Sequence, residues 1–173
     1  MEGEKPDPDI RRPMQWTSEN NASFTTSTPW EALGPNYQTA NVAVESADPD
    51  SLLSFYKTLI AIRTKYPVLR SGALTLLSTD NSGVYASLRN ENNDALLVLA
   101  NLTNTPISDY TLSLTRSSLT TGSYHITPIM GSGLFADLTV ASAGDFSQYK
   151  PASEVPAYGT LILQLQSFAG SGK

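Results

Sequence analysis

The chain reads as mostly β: a long irregular segment, one amphipathic helix, then an antiparallel sandwich. Three observations predict this. Hydrophobic residues make up 40% of the 173 residues, enough for a packed core, whereas charged residues make up only 16%. Ser, Thr and Asn fill the difference, which favours strands and loops. After Leu69 the apolar period becomes two, and short alternating runs are separated by Asn/Gly/Ser-rich turns.

The first 47 residues hold several prolines and no sustained period. A loop this long is usually functional or disordered. Its rings (Trp16, Phe24, Trp30 and Tyr37) argue for order, because aromatic surface needs something to pack on. RRPMQWTSENNASFTTSTPW at 11–30 is the densest part. It combines planar rings, fixed cations and small hydroxyl and amide groups, the ingredients of a sugar-binding surface.

Residues 48–66 form the one convincing helix. Asp48 suits the N-cap, Pro49 the first helical position, and Asp50 the positive helix end. Leu52, Phe55, Tyr56, Leu59, Ile60, Ile62 and Tyr66 make a broad apolar face that calls for a substantial partner surface. Pro67 ends the helix.

Strands are expected at Ala73–Leu77, Val84–Arg89, Ala95–Leu102, Tyr110–Leu114, Tyr124–Met130, Leu138–Ala141 and Gly159–Gln166. Turns fall at DNSG (80–83), NENND (90–94), TTGS (120–123) and GSG (131–133). ALLVLANL is apolar throughout, as in a central strand covered on both faces. FAGSGK reads as a short flexible tail.

The totals exclude several functions. Net charge is −5, and only Arg11-Arg12 pairs basic residues, so nucleic acid finds no electrostatic footprint. No basic amphipathic helix or membrane-length apolar run is present. Cysteine is absent and His125 is the single histidine, which removes thiol nucleophiles and multi-His metal sites. No metal site or cofactor is expected. The start, MEGEKPDPDI, is too acidic and polar for a signal peptide; the compartment is not legible.

The chemistry-bearing residues admit more than one reading. Glu2, Glu4, Asp7 and Asp9 read as a solvated acidic loop rather than the paired carboxylates of a glycosidase. Either arginine of the pair could clamp a hydroxyl or carboxylate, or form a structural ion pair. Trp16, Phe24 and Trp30 could be stacking platforms, but composition favours loop anchors. His125 reads as a satisfied core or edge residue. Asn21-Ala22-Ser23 and Asn101-Leu102-Thr103 are glycosylation sequons, a pattern common by chance.

RRPMQW at 11–16 resembles the Arg-Thr-Pro-Met-Gln-Trp segment of the α-amylase superfamily, glycoside hydrolase family 13, on its oligo-1,6-glucosidase/α-glucosidase side. NASFTTSTPW at 21–30, GPNYQTANV at 34–42, DPDSLLSFYKTLIAIRTKYPVLRSG at 48–72 and ALLVLANLTNTP at 95–106 are similar to blocks that follow in that family. The chain departs from the pattern at Arg12, where the family has Thr, at Thr17, where Asp is frequent, and at Ser23, where the family has Gly.

The resemblance implies a fold and a role. The fold is a C-terminal antiparallel Greek-key β-sandwich, preceded by the last loop and last helix of an incomplete TIM barrel. Residues 1–69 would close the barrel, 70–168 form the β-domain, and 169–173 the tail. A whole barrel needs roughly 250 residues, and the family's catalytic carboxylates would lie on earlier strands, so no residue here is assigned a catalytic role. Arg11 matches the motif arginine that holds the substrate's terminal glucose, with Trp16 and Phe24 as lesser substrate-binding candidates. The implied partners are an α-glucan or maltooligosaccharide and the missing N-terminal barrel portion. Alone the chain would be inert; the rival reading is a free-standing carbohydrate-binding or protein-interaction β-domain.

Overall fold

A computed structural model describes residues 10–168. They fall into two compact units dividing between Ile62 and Arg63.

The first unit is irregular at its start. A single 3-10 turn occupies Asn20–Ser23. Helix α1 follows at Val42–Ala47, inside the stretch expected to be loop. Its free N-terminal amides are all met. Val42 N–H donates to Gln15 O at 3.0 Å and Ala43 N–H to Trp16 O at 3.0 Å, while Val44 N–H donates to Asn41 Oδ1 at 3.0 Å. A six-residue helix is marginal alone; this cap and the chain segment behind it sustain it.

Helix α2 spans Leu52–Lys65, a turn shorter than expected at its start. Asp48 caps a turn instead: its Oδ1 accepts Asp50 N–H at 2.9 Å. Ser51 takes the N-cap role, its Oγ accepting Ser54 N–H at 3.1 Å and its carbonyl accepting Phe55 N–H at 2.9 Å. No residue of α2 is buried, and Leu52, Phe55, Tyr56 and Ile60 are exposed.

The second unit is the expected sandwich. A short helix α3, Val68–Ser71, precedes it. Gly72 then turns the chain, and a Cβ there would lie 2.5 Å from Val68 O and 2.7 Å from Val68 Cγ2, so only glycine fits. Nine strands follow: β1 Ala73–Leu76, β2 Ser78–Thr79, β3 Val84–Glu91, β4 Asp94–Asn101, β5 Leu112–Leu114, β6 Gly122–Met130, β7 Leu138–Val140, β8 Phe146–Tyr149 and β9 Thr160–Ser167. One sheet runs β1-β3-β4-β9-β6-β7 and the other β2-β5-β8. Every pairing is antiparallel.

Each expected strand is present within a few residues of its expected bounds, and β2 and β8 are additional. The β3–β4 hairpin runs further than expected, to Glu91↔Asp94. Only Asn92-Asn93 is left to turn, with Asn92 at φ 54°, a conformation Asn tolerates better than most residues. Pro128 sits in β6 where the register with β9 shifts, and β7 pairs only with the first residues of β6. Its missing N–H therefore breaks no second ladder.

The core lies between the sheets. Leu88, Leu97, Leu99 and Leu163 come from the larger sheet, and Leu112, Leu114, Phe146 and Tyr149 from the smaller. β4 is central, between β3 and β9, and Leu96 is buried outside this core cluster. The second face of the apolar run is covered only in part: Leu96 is buried, Val98 and Ala100 are half-buried, and Leu102 is 63% exposed. Helix α3 packs on β3 and β4, and the Arg89 guanidinium donates to Leu69 O at 3.1 Å.

Candidate substrate-binding loop

The motif segment is held by its backbone rather than by its rings. The Gln15 and Trp16 carbonyls receive the first two amides of α1, and Gln15 Nε2 donates to Ala40 O. Beyond Trp16 the chain folds back on itself. Trp16 and Thr17 N–H both donate to Ala22 O, at 3.0 and 3.3 Å, and Phe24 N–H donates to Asn21 O at 2.9 Å. The Thr17 and Ser23 hydroxyls bond at 2.6 Å. Ala22 is the fully buried pivot, 0% exposed.

Three successive residues pay for this closure in backbone strain: Asn21, Ala22 and Ser23 have φ of 52°, 52° and 53°. Left-handed backbone costs an L-residue roughly 1–2 kcal/mol. Asn21 compensates by donating its side-chain amide to Thr25 O at 3.2 Å and Ser27 O at 3.0 Å. Ser23 stands where the family pattern has glycine, the residue that meets positive φ without cost.

The closed loop presents Trp16 and Phe24, each 48% exposed, and Trp30 is 71% exposed. Composition favoured these rings as anchors, yet none is buried. Both arginines are exposed, and Arg12 donates to Leu33 O at 3.2 Å. A cavity of about 320 Å³ opens between motif and helix, lined by Arg12, Met14, Gln15, Asn41, Glu45 and Leu53. Guanidinium groups, half-exposed rings and hydroxyls are suited to binding a neutral polyhydroxylated ligand.

Sequence reasoning missed α1 and with it the role of Asn41, which also donates to Tyr37 O at 2.8 Å. A signal was present, an Asn immediately before VAVESA. Glu2, Glu4, Asp7 and Asp9 lie outside the described residues. His125 is satisfied, its Nδ1 lying 3.0 Å from Asp137 Oδ1. Among the described residues no group of three or more His, Cys, Asp or Glu could hold a metal, and no helix is long and apolar enough to cross a membrane.

The sequons are decided by packing. Asn101 is 2% exposed, and its Nδ2 donates to Thr105 O, Val155 O and Pro156 O at 2.7, 3.1 and 3.0 Å. The Asn21 amide is engaged as described. Neither nitrogen is presented as a glycosylation acceptor.

The buttressed Arg-Arg-Pro-Met-Gln-Trp loop ahead of a sandwich lies in the part of the chain whose class is recognisable: residues 1–72 match the family model for the alpha amylase catalytic domain. More particularly, the chain is 41% identical over 91 residues to a probable oligo-1,6-glucosidase of Bacillus subtilis (strain 168), covering 53% of this chain and 16% of that protein. It is 40% identical over 98 residues to the oligo-1,6-glucosidase of Heyndrickxia coagulans, covering 57% and 18%. Among solved structures it is similar to the trehalulose synthase of Pseudomonas mesoacidophila MX-45, with TM-score 0.64, 30% identity, and 90% and 25% of the two chains covered. The trehalose-6-phosphate hydrolase of Bacillus licheniformis gives TM-score 0.63 at 26% identity, with the same coverage. The chain thus spans less than a fifth of these sequence relatives' length and a quarter of the solved ones.

Proposed function

We propose that this chain supplies the substrate-binding loop after the eighth barrel strand, the eighth helix and the accessory β-domain to an enzyme of retaining α-glucosidic chemistry. Residues 1–69 complete the barrel and 70–168 form the accessory domain. The catalytic carboxylates belong to barrel strands outside this chain, so the chain by itself turns over nothing. Arg11 holds the terminal glucose through its planar donor fork, with Trp16 and Phe24 forming the wall beside it.

The observation that carries the reading is helix α2. Fourteen residues with no buried side chain, and with Leu52, Phe55, Tyr56 and Ile60 exposed, lie inside the segment matching the catalytic-domain model. A helix with so broad an apolar face is built to be covered, and the remainder of the barrel is the cover this reading supplies.

The test is complementation. The pure chain should release no glucose from maltose or isomaltose, and co-expression with the barrel portion of an oligo-1,6-glucosidase should restore turnover. In that complex Arg11→Ala should lower kcat/KM roughly 10- to 100-fold, as expected for a lost charged hydrogen bond. Turnover by the isolated chain, or an Arg11→Ala complex as active as its parent, would overturn the proposal. Failure of complementation, together with maltooligosaccharide binding that survives removal of residues 1–47, would favour the carbohydrate-binding module instead.

A further inference from the structure

A second cleft lies on the β unit, well apart in sequence from the loop, and the geometry points to it as a binding site for a neutral sugar. It measures about 380 Å³, within the ~300–1,000 Å³ range of small-molecule clefts. The β3–β4 hairpin contributes Asn90, Asn92, Asn93 and Asp94; the segment ahead of β6 contributes Ser118, Leu119 and Thr120.

Its lining is divided by polarity. Ala95, Leu119 and Tyr124 are buried and form an apolar floor. Side-chain amides and hydroxyls surround that floor, and Asp94 is the only charged residue among them. A pyranose has the matching layout, with C–H faces and a ring of hydroxyls. Asparagine amides donate and accept at once, as vicinal hydroxyls require. The carboxylate accepts from hydroxyls, and with no cation in the lining it disfavours anionic ligands.

The site is also held in shape. Asn90 donates its amide to Ser118 Oγ, joining the hairpin to the opposite wall. The Tyr124 hydroxyl lies 2.9 Å from Thr120 Oγ1 and donates to Thr120 O at 3.0 Å, which fixes the ring. Neither link uses Asn92, Asn93 or Asp94. A preorganised floor spares the ordering cost that otherwise weakens small-ligand binding. This cleft does not depend on the role proposed for the loop, and either can fail alone.

The test is a titration of the isotope-labelled full chain with maltose and isomaltose, followed by amide chemical shifts. Saturable shifts are expected at Asn92, Asn93, Asp94, Ser118 and Thr120. Asn92→Gly is compatible with the positive φ at that position, and Asn93 is exposed, so Asn92→Gly and Asn93→Ala should fold. Each should weaken binding about tenfold, the effect of one or two hydrogen bonds. Glucose 6-phosphate should bind more weakly than glucose. No saturable shift up to about 50 mM sugar, far above a ~1 mM dissociation constant, overturns the site. So do shifts confined to the Trp16 and Trp30 indoles, unchanged affinity in both folded variants, or tighter binding of the phosphorylated sugar.

Discussion

Replacing Asn101 by alanine should destabilise the β unit by about 3 kcal/mol, and the hydrogen-bond inventory shows where that figure comes from. The Asn101 amide shares its two protons among the carbonyls of Thr105, Val155 and Pro156. Each carbonyl keeps another donor after truncation: Thr103 Oγ1 at 3.0 Å, Ile107 N–H at 3.0 Å and Gly159 N–H at 2.8 Å. Their losses fall at the low end, about 0.5 kcal/mol each. Thr103 N–H is different, because it donates to Asn101 Oδ1 at 2.8 Å and would be stranded, at about 1–3 kcal/mol. In urea unfolding followed by far-ultraviolet circular dichroism, the β-unit midpoint should fall by about 1–3 M at an m-value of ~1–3 kcal/mol/M. Asn101→Asp sharpens the test. One carboxylate oxygen keeps Thr103, but the other faces three carbonyls, which raises the buried acid's folded pKa. Its protonated form is favoured by folding, so the variant is most stable below an unfolded pKa of ~3.9 and loses stability as pH rises through it. Midpoints for both variants within about 0.5 kcal/mol of the parent, or an Asn101→Asp variant whose deficit is flat from pH 3 to 7 (a window about ~3.9), would refute this reasoning.

The remaining predictions concern the loop, its helix and the tyrosines. Ser23→Ala keeps the positive φ and loses the hydroxyl bond to Thr17, whereas Ser23→Gly also loses the bond but relieves strain. Thermal melts should therefore rank glycine above alanine by about 1 kcal/mol; equal variants would remove strain from the account of the loop. Asn41→Ala should cost about 1–2 kcal/mol locally, read as faster hydrogen exchange at Val44, and unchanged exchange there would show that the cap is idle. Burial pushes the phenols of Tyr110 and Tyr149 up, and each donates to a buried carbonyl, Tyr110 to Ala152 at 2.9 Å and Tyr149 to Ala136 at 2.7 Å. An acid whose folded pKa is raised contributes stability below its unfolded value, ~10, and loses it as pH rises further. Urea midpoints should be level to about pH 10 and then fall, less steeply in Tyr149→Phe; a parent and variant with identical alkaline profiles would exclude Tyr149 as a contributor.

Much of the β unit was legible because its signals are local. Alternation and turn residues name a strand wherever pairing runs long enough, as in β3, β4 and β9. β2 and β8 escaped because two and four residues carry little period; they are strands only by virtue of lying on either side of β5. The start of α2 was misplaced for a related reason. Asp48 and Ser51 are both competent caps, and Asp48 spends its carboxylate on a turn instead.

The sequence by itself determined the class of fold, the family blocks and the composition of the loop, because each rests on residue types and short spacings. Only tertiary structure decided what individual residues do. It tied Arg12 to the Leu33 carbonyl, and it left the loop's rings Trp16, Phe24 and Trp30 exposed. It turned the Asn101 sequon from an acceptor pattern into a buried strut. It also brought the hairpin asparagines against Ser118 and Thr120 to enclose a cleft. The physical reason is common to all four: hydrogen-bond partners and burial are set by segments distant along the chain, and no local pattern encodes which of them arrive.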